Sequence, residues 1–267
     1  MQLHELILIL SVIGLLFGAP IYIFFRKKML QNPAENGFNK RRVFKIVAIN
    51  IILNITASLT FILILVSMLS GQWFIGLNKS ILIITIIYLI IIGLCSYGNG
   101  MYITSVVIET FTPPALRGKK SFKTQFIATH LFHGPISHIL IYSGYIIVLF
   151  LLGVIDFDMG NTTSLLPWIM VICGLCAGVI YSAAQNFNGT ILYQWITALI
   201  TGVIFISTFF TEIITSLFEY SFATFYFFFS LAFLMTSLGY LFLRKRRGEN
   251  LWDMSGYLHS NQSDLYR

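Results

Sequence analysis

Residues 81–123 read ILIITIIYLIIIGLCSYGNGMYITSVVIETFTPPALRGKKSFK. The first 28 positions, to Ile108, contain no Asp, Glu, Lys or Arg. As an α-helix rising about 1.5 Å per residue, such a run is about 42 Å long, more than the roughly 30 Å hydrocarbon layer of a bilayer. Glu109 is the first charge. Pro113 and Pro114 then stop the helix, and Arg117, Lys119, Lys120 and Lys123 follow on a basic loop. The long apolar run is the unit from which the rest of the chain is built, with basic residues gathered on alternate connections.

Six further runs have the same character, giving seven spans in all: 6–25, 43–69, 81–108, 136–155, 165–184, 191–210 and 222–243. The second and third exceed the bilayer thickness and are expected to tilt or project. Composition agrees. The chain of 267 residues is 57% hydrophobic and only 10% charged, against roughly 25% charged in soluble domains. The expectation is an all-α integral membrane protein, with one transmembrane domain over residues 1–243 and a basic cytoplasmic tail over 244–267.

Charge sets the orientation. Sixteen of the 17 Lys and Arg residues fall on alternate connections: Arg26 to Lys45, Arg117 to Lys123, and the tail from Arg244. The opposite side has only Lys79, and carries Glu5, Asp156, Asp158, Glu212 and Glu219. By the positive-inside rule the basic side faces the cytoplasm. Seven spans then place the N-terminus outside and the C-terminus inside, and the plasma membrane is the expected location. The opening Met-Gln-Leu-His-Glu has no positive region and no small-x-small cleavage site follows, so the first run reads as a retained span.

The net charge of +7 is not a nucleic-acid signal, because the basic residues cluster at span ends with no interleaved aromatic surface. Their expected partners are the lipid bilayer and its anionic headgroups at the cytoplasmic face. Cys95, Cys173 and Cys176 all lie inside spans and form no disulfide framework. The Cys173-Gly-Leu-Cys176 spacing reads as small apolar packing. Gly174, Gly178 and Ser182 form a small-residue face suited to close helix packing, within the chain or between copies, so a homo-oligomer or a partner subunit is open. Trp73 and Trp168 sit at the expected outer interface. The run Phe225 to Phe229 reads as packing and lipid-facing bulk. Asn78-Lys-Ser80 and Asn161-Thr-Thr163 fit the glycosylation sequon on the outer side.

Polar residues inside spans are expensive and therefore informative. Asn50, Asn54 and Ser58 recur at intervals of four. Asn99, Tyr102, Ser105 and Glu109 recur at three, three and four. Each set shares one helix face and is expected to turn inward. Two readings stand side by side: hydrogen bonds between helices, and a polar cavity.

The densest local feature is His130-Leu-Phe-His133-Gly-Pro-Ile-Ser-His138, which holds three of the five histidines. With Glu109 at the inner end of the third span, these residues offer a ligand set for a divalent metal such as zinc, which would activate water for hydrolysis. Contact with lipid headgroups, backbone bonding at a kink, and proton carriage by His138 are the alternatives. A short interfacial helix is expected over 121–132, with Gly134-Pro135 breaking it and opening the fourth span. Gln185, Asn186, Asn188, Gln194 and Tyr240 add to the polar inventory of the inner half.

Helix number and orientation are similar to those of retinal-binding rhodopsins, but 222–243 has no lysine for a Schiff base. They are similar also to ceramidase-like membrane hydrolases, but the same span has no histidine pair. Three functions follow from the residues. The first is a small-solute transporter or ligand-binding membrane protein with a cytoplasm-facing polar cavity. The second is a membrane-embedded, metal-dependent lipid hydrolase. The third is a structural or assembly subunit of a membrane complex.

Overall fold

The computed structural model describes residues 3–14, 16–17, 56–70, 78–111, 128–129, 131–159 and 167–251. These are almost entirely helical. Five helices are long and apolar enough to cross a membrane: α3 (Lys79–Phe111), α4 (Ser137–Met159), α5 (Pro167–Asn188), α6 (Ile191–Thr208) and α8 (Ser221–Arg246). Two shorter apolar helices precede them, α1 (Leu3–Gly14) and α2 (Thr56–Leu69). A short helix, α7 (Phe210–Thr215), lies between α6 and α8. The chain is thus a multi-pass helical membrane protein by the length and apolarity of its helices.

The outward faces are apolar along their length. Leu82, Ile83, Ile86, Ile90 and Leu94 of α3, Ile200, Val203 and Ile204 of α6, and Met235, Leu238 and Phe242 of α8 are all exposed. A water-facing helix carries polar residues there, so the solvent these faces suit is lipid. Trp168, at the start of α5, is also exposed, as suits an amphipathic ring at a membrane interface.

Side-chain contacts give each helix a direction. Ser80, at the start of α3, bonds Asp158 at the end of α4, while Tyr102 further along α3 meets His138 at the start of α4. The two are antiparallel. Trp168 at the start of α5 meets Phe218, just before α8. Glu5 of α1 accepts from Ser221 at the start of α8. Tyr88 of α3 bonds the Phe61 carbonyl of α2, and Ser58 of α2 reaches Ser96, so α2 also opposes α3. The main helices therefore alternate in direction along the chain. One end gathers Glu5, Asp156, Asp158, Glu212 and Glu219. The other receives Arg244, Lys245 and Arg246 on the last turn of α8. These are called the acidic and basic ends below.

The closest helix pair is α5 with α8. A Cβ added at Gly174 would stand 2.6 Å from the Phe225 carbonyl oxygen, and one at Gly178 would stand 2.5 Å from that of Phe229. Only glycine permits this approach, and Ser182 completes the face with a 2.8 Å bond to Ser237. The small-residue face read from the sequence is thus used within the chain. Aromatic bulk fills the space beside it. Phe225, Tyr226 and Phe229 are buried, and Phe205 meets Tyr226 and Phe157. Much of the aromatic run therefore faces the core rather than lipid. Cys173 is buried in that core as a free thiol.

Two boundaries differ from expectation. The sixth span ends at Thr208, and α7 restarts after a break at Phe209. Gly134-Pro135 does not interrupt the chain: Phe132–Ile136 forms a π-turn that runs directly into α4, with Ser137 N–H donating to Gly134 and Phe132 carbonyls. The wider turn accommodates a proline that lacks its own N–H. The expected interfacial helix over 121–132 lies mostly outside the described residues.

Candidate functional site

The acidic end contains a buried knot. Asp156, on the last turns of α4, has no exposed surface. One oxygen accepts from the backbone N–H groups of Phe222 at 2.7 Å and Ala223 at 3.2 Å. These are first-turn donors of α8, which have no partner within their own helix. Tyr220, at the N-cap position, supplies no side-chain bond. Asp156 therefore caps α8 from a neighbouring helix, and its charge faces the positive end of the helix dipole. Glu5 is also buried and bonds Ser221, while His4 packs its ring on Phe222 at 5.6 Å. This knot ties α1, α4 and α8 together. Its role is architectural.

The polar gathering at the basic half is different. His138, on the first turn of α4, is buried between Tyr102 of α3 at 5.5 Å and Tyr142 at 5.4 Å between ring centroids. Gln194 of α6 donates to the His138 carbonyl at 3.4 Å. Tyr181 of α5 donates to the Tyr142 carbonyl at 2.8 Å. Because α4 and α5 run in opposite directions, four residues from Tyr142 and four from Tyr181 both step one turn toward the basic end. That places Gln185 at about the depth of His138. Four helices thus contribute Tyr102, His138, Gln185 and Gln194 to one layer.

Several of these groups are poorly satisfied. Both the nitrogen and the oxygen of the Gln185 amide are buried without a protein hydrogen bond, as are the side-chain oxygens of Gln194, Asn186, Thr190 and Asn99. Buried polar atoms are nearly always hydrogen-bonded, so such atoms take their bonds from water or from a bound polar molecule. Asn99 stands one turn from Tyr102 toward the acidic end and donates to Tyr145 at 3.4 Å. A tight turn joins α5 to α6 beneath this layer. Gly189 has a φ of 76°, a left-handed conformation that glycine adopts without strain.

Of the residues singled out from sequence, His138, Asn99, Tyr102 and Ser105 are placed here. Asn99 and Ser105 are buried, and Ser58 reaches the third helix as its spacing suggests. His138 meets α3 at Tyr102. Glu109 lies seven residues further along α3, about 10 Å of helical rise toward the basic end. The side chains of Glu109 and His133, and the residues Asn50, Asn54 and His130, lie outside the described set. Among the described residues no group of three His, Cys, Asp or Glu side chains stands together to hold a metal.

Gln185, Gln194, Tyr142 and Tyr181 were not among the sequence-based site candidates. A signal was present, since Gln185 and Gln194 flank the Gly189 turn almost symmetrically. Comparison with protein-family models, with curated proteins and with solved structures finds no match.

Proposed function

We propose that this chain is a seven-helix membrane protein that binds a small polar solute in the His138 layer and passes it across the bilayer. The reading places the basic end in the cytoplasm, against anionic headgroups of the plasma membrane, and the N-terminus outside. The observation that carries it is the layer itself. Four helices bring buried, poorly satisfied amides and aromatic rings to one depth, where a purely structural bundle gains nothing from them. The acidic-end knot holds the far ends of α1, α4 and α8 together, so separation of helices for access is easier at the basic end.

The test is flux. The full chain is reconstituted in proteoliposomes, and solute-driven reswelling is followed by light scattering over a panel of small neutral, zwitterionic and charged solutes. At least one solute is expected to enter about tenfold faster than into empty vesicles, a barrier difference of about 1.4 kcal/mol. Gln194→Leu is expected to remove that advantage while the protein stays folded. Empty-vesicle rates for the whole panel, with no solute raising the thermal midpoint, would overturn the reading.

A further inference from the structure

The chemistry of the layer narrows the solute. Gln185 presents a whole primary amide, one donor and one acceptor side by side, with neither end bonded to protein. Exchanging its nitrogen and oxygen changes nothing, because both are in the same position. A complementary amide edge satisfies both atoms in one planar, two-bond contact. Other buried side-chain atoms without a protein bond on these helices at the basic half are oxygens, the amide oxygens of Gln194, Asn186 and Asn99 and the Thr190 hydroxyl. Acceptors in excess ask for a ligand rich in N–H.

The walls point the same way. Tyr102, His138, Tyr142 and Tyr181 form a chain of ring contacts between 5.4 and 5.9 Å. Such rings suit a flat π-system better than a puckered polyol. Charge is absent from the layer among the described side chains. The acidic residues Glu5, Asp156 and Asp158 belong to the opposite end, and Arg244 lies seven residues, about two helical turns, beyond Ser237. A desolvated layer without a counter-charge disfavours an ionic ligand.

We propose that the layer recognises an uncharged, planar solute bearing N–H donors, of the amide or urea class, and that Gln185 is its principal partner. This inference rests on the solute-binding reading above and specifies its ligand. The access route implied is the basic end, where the Gly189 turn joins α5 to α6.

The experiment compares acetamide and urea with glycerol and methylammonium in the same proteoliposomes, using wild type, Gln185→Leu and Gln185→Met. Acetamide and urea are expected to enter at least about tenfold faster than glycerol relative to empty vesicles, consistent with hydrogen-bond discrimination of that order. Both variants are expected to bring the amides back to within about twofold of empty vesicles while leaving glycerol unchanged. If Gln185→Leu does not fold, the unbranched Gln185→Met carries the same comparison. Fast glycerol or methylammonium with slow amides would overturn the amide assignment and leave the solute-binding reading standing. No flux of these probes would overturn the amide assignment, and empty-vesicle rates for the wider panel with no thermal shift would overturn both. Fast amides in Gln185→Met would remove Gln185 as the partner.

Discussion

Replacing Asp156 by alanine isolates the capping of one transmembrane helix by another. The carboxylate is fully buried and accepts two backbone N–H groups of α8, at 2.7 and 3.2 Å. Hydrogen bonds to a charged group contribute about 1.5–3 kcal/mol each, so the pair is worth about 3–6 kcal/mol gross. Relief from burying the charge offsets part of this, leaving an expected loss of about 2–4 kcal/mol. Asp156→Asn retains one acceptor oxygen at the same place but loses the charge. Neutral bonds contribute about 0.5–1.5 kcal/mol each, so the asparagine variant is expected to lose about half as much. Asp158→Ala is the control, because that carboxylate is on the surface and, among the described residues, accepts from exposed Ser80; its cost is expected below about 0.5 kcal/mol. Equilibrium unfolding in mixed micelles, followed by near-ultraviolet circular dichroism, reads all three. An alanine variant within about 0.5 kcal/mol of wild type, or an asparagine variant as damaged as alanine, would refute the capping argument.

Three further outcomes are expected. Gly178→Ala forces a Cβ against the Phe229 backbone, which cannot rotate away, and is expected to cost about 1–3 kcal/mol in the same unfolding assay, whereas Gly239→Ala, which meets nothing within 4 Å, is expected to be neutral or stabilising. Gly144→Ala collides with the Cys95 sulfur, a side-chain obstacle, so the double variant Gly144→Ala with Cys95→Ala is expected to regain most of the stability that the single variant loses. Gln185→Leu is expected to raise stability by about 1–3 kcal/mol while abolishing solute flux, because it removes a buried amide that has no protein partner; a destabilised variant would show that the amide supports the fold instead.

Five long apolar helices were legible in the sequence. A run such as 81–108 without a charge has no stable alternative in lipid, since every backbone group must find its partner within the segment. Alternation of basic loops with Glu5, Asp156 and Asp158 is likewise a one-dimensional pattern, and in the structure these acidic groups do share one end. The glycines at 174 and 178 were legible too, because their spacing alone presents them on one face. Ser58, Asn99 and Ser105 turned toward neighbouring helices as their intervals suggested, although intervals do not say which neighbour.

Only the tertiary structure decided what those faces meet. Asp156 stood in the sequence as an acidic residue at a helix end, and its partners, Phe222 and Ala223, are 66 and 67 positions away. Its conversion from surface charge to buried cap depends on how α4 crosses α8, which no local pattern encodes. The pairing of His138 with Tyr102 depends on the relative slide of two antiparallel helices, which no hydrophobic period fixes. Gln185 and Gln194 looked like polar residues flanking a short turn, and that turn is indeed there at Gly189. Folding buries both: α6 packs on α4, where Gln194 reaches the His138 carbonyl, while α5 packs on α8 and touches α4 through Tyr181. Unbroken apolar runs therefore determine that helices form, and the alternation of charge along the chain carries the expected orientation. Steric fit between helices, through glycine faces and aromatic bulk, determines which polar groups share a depth and so where a site arises.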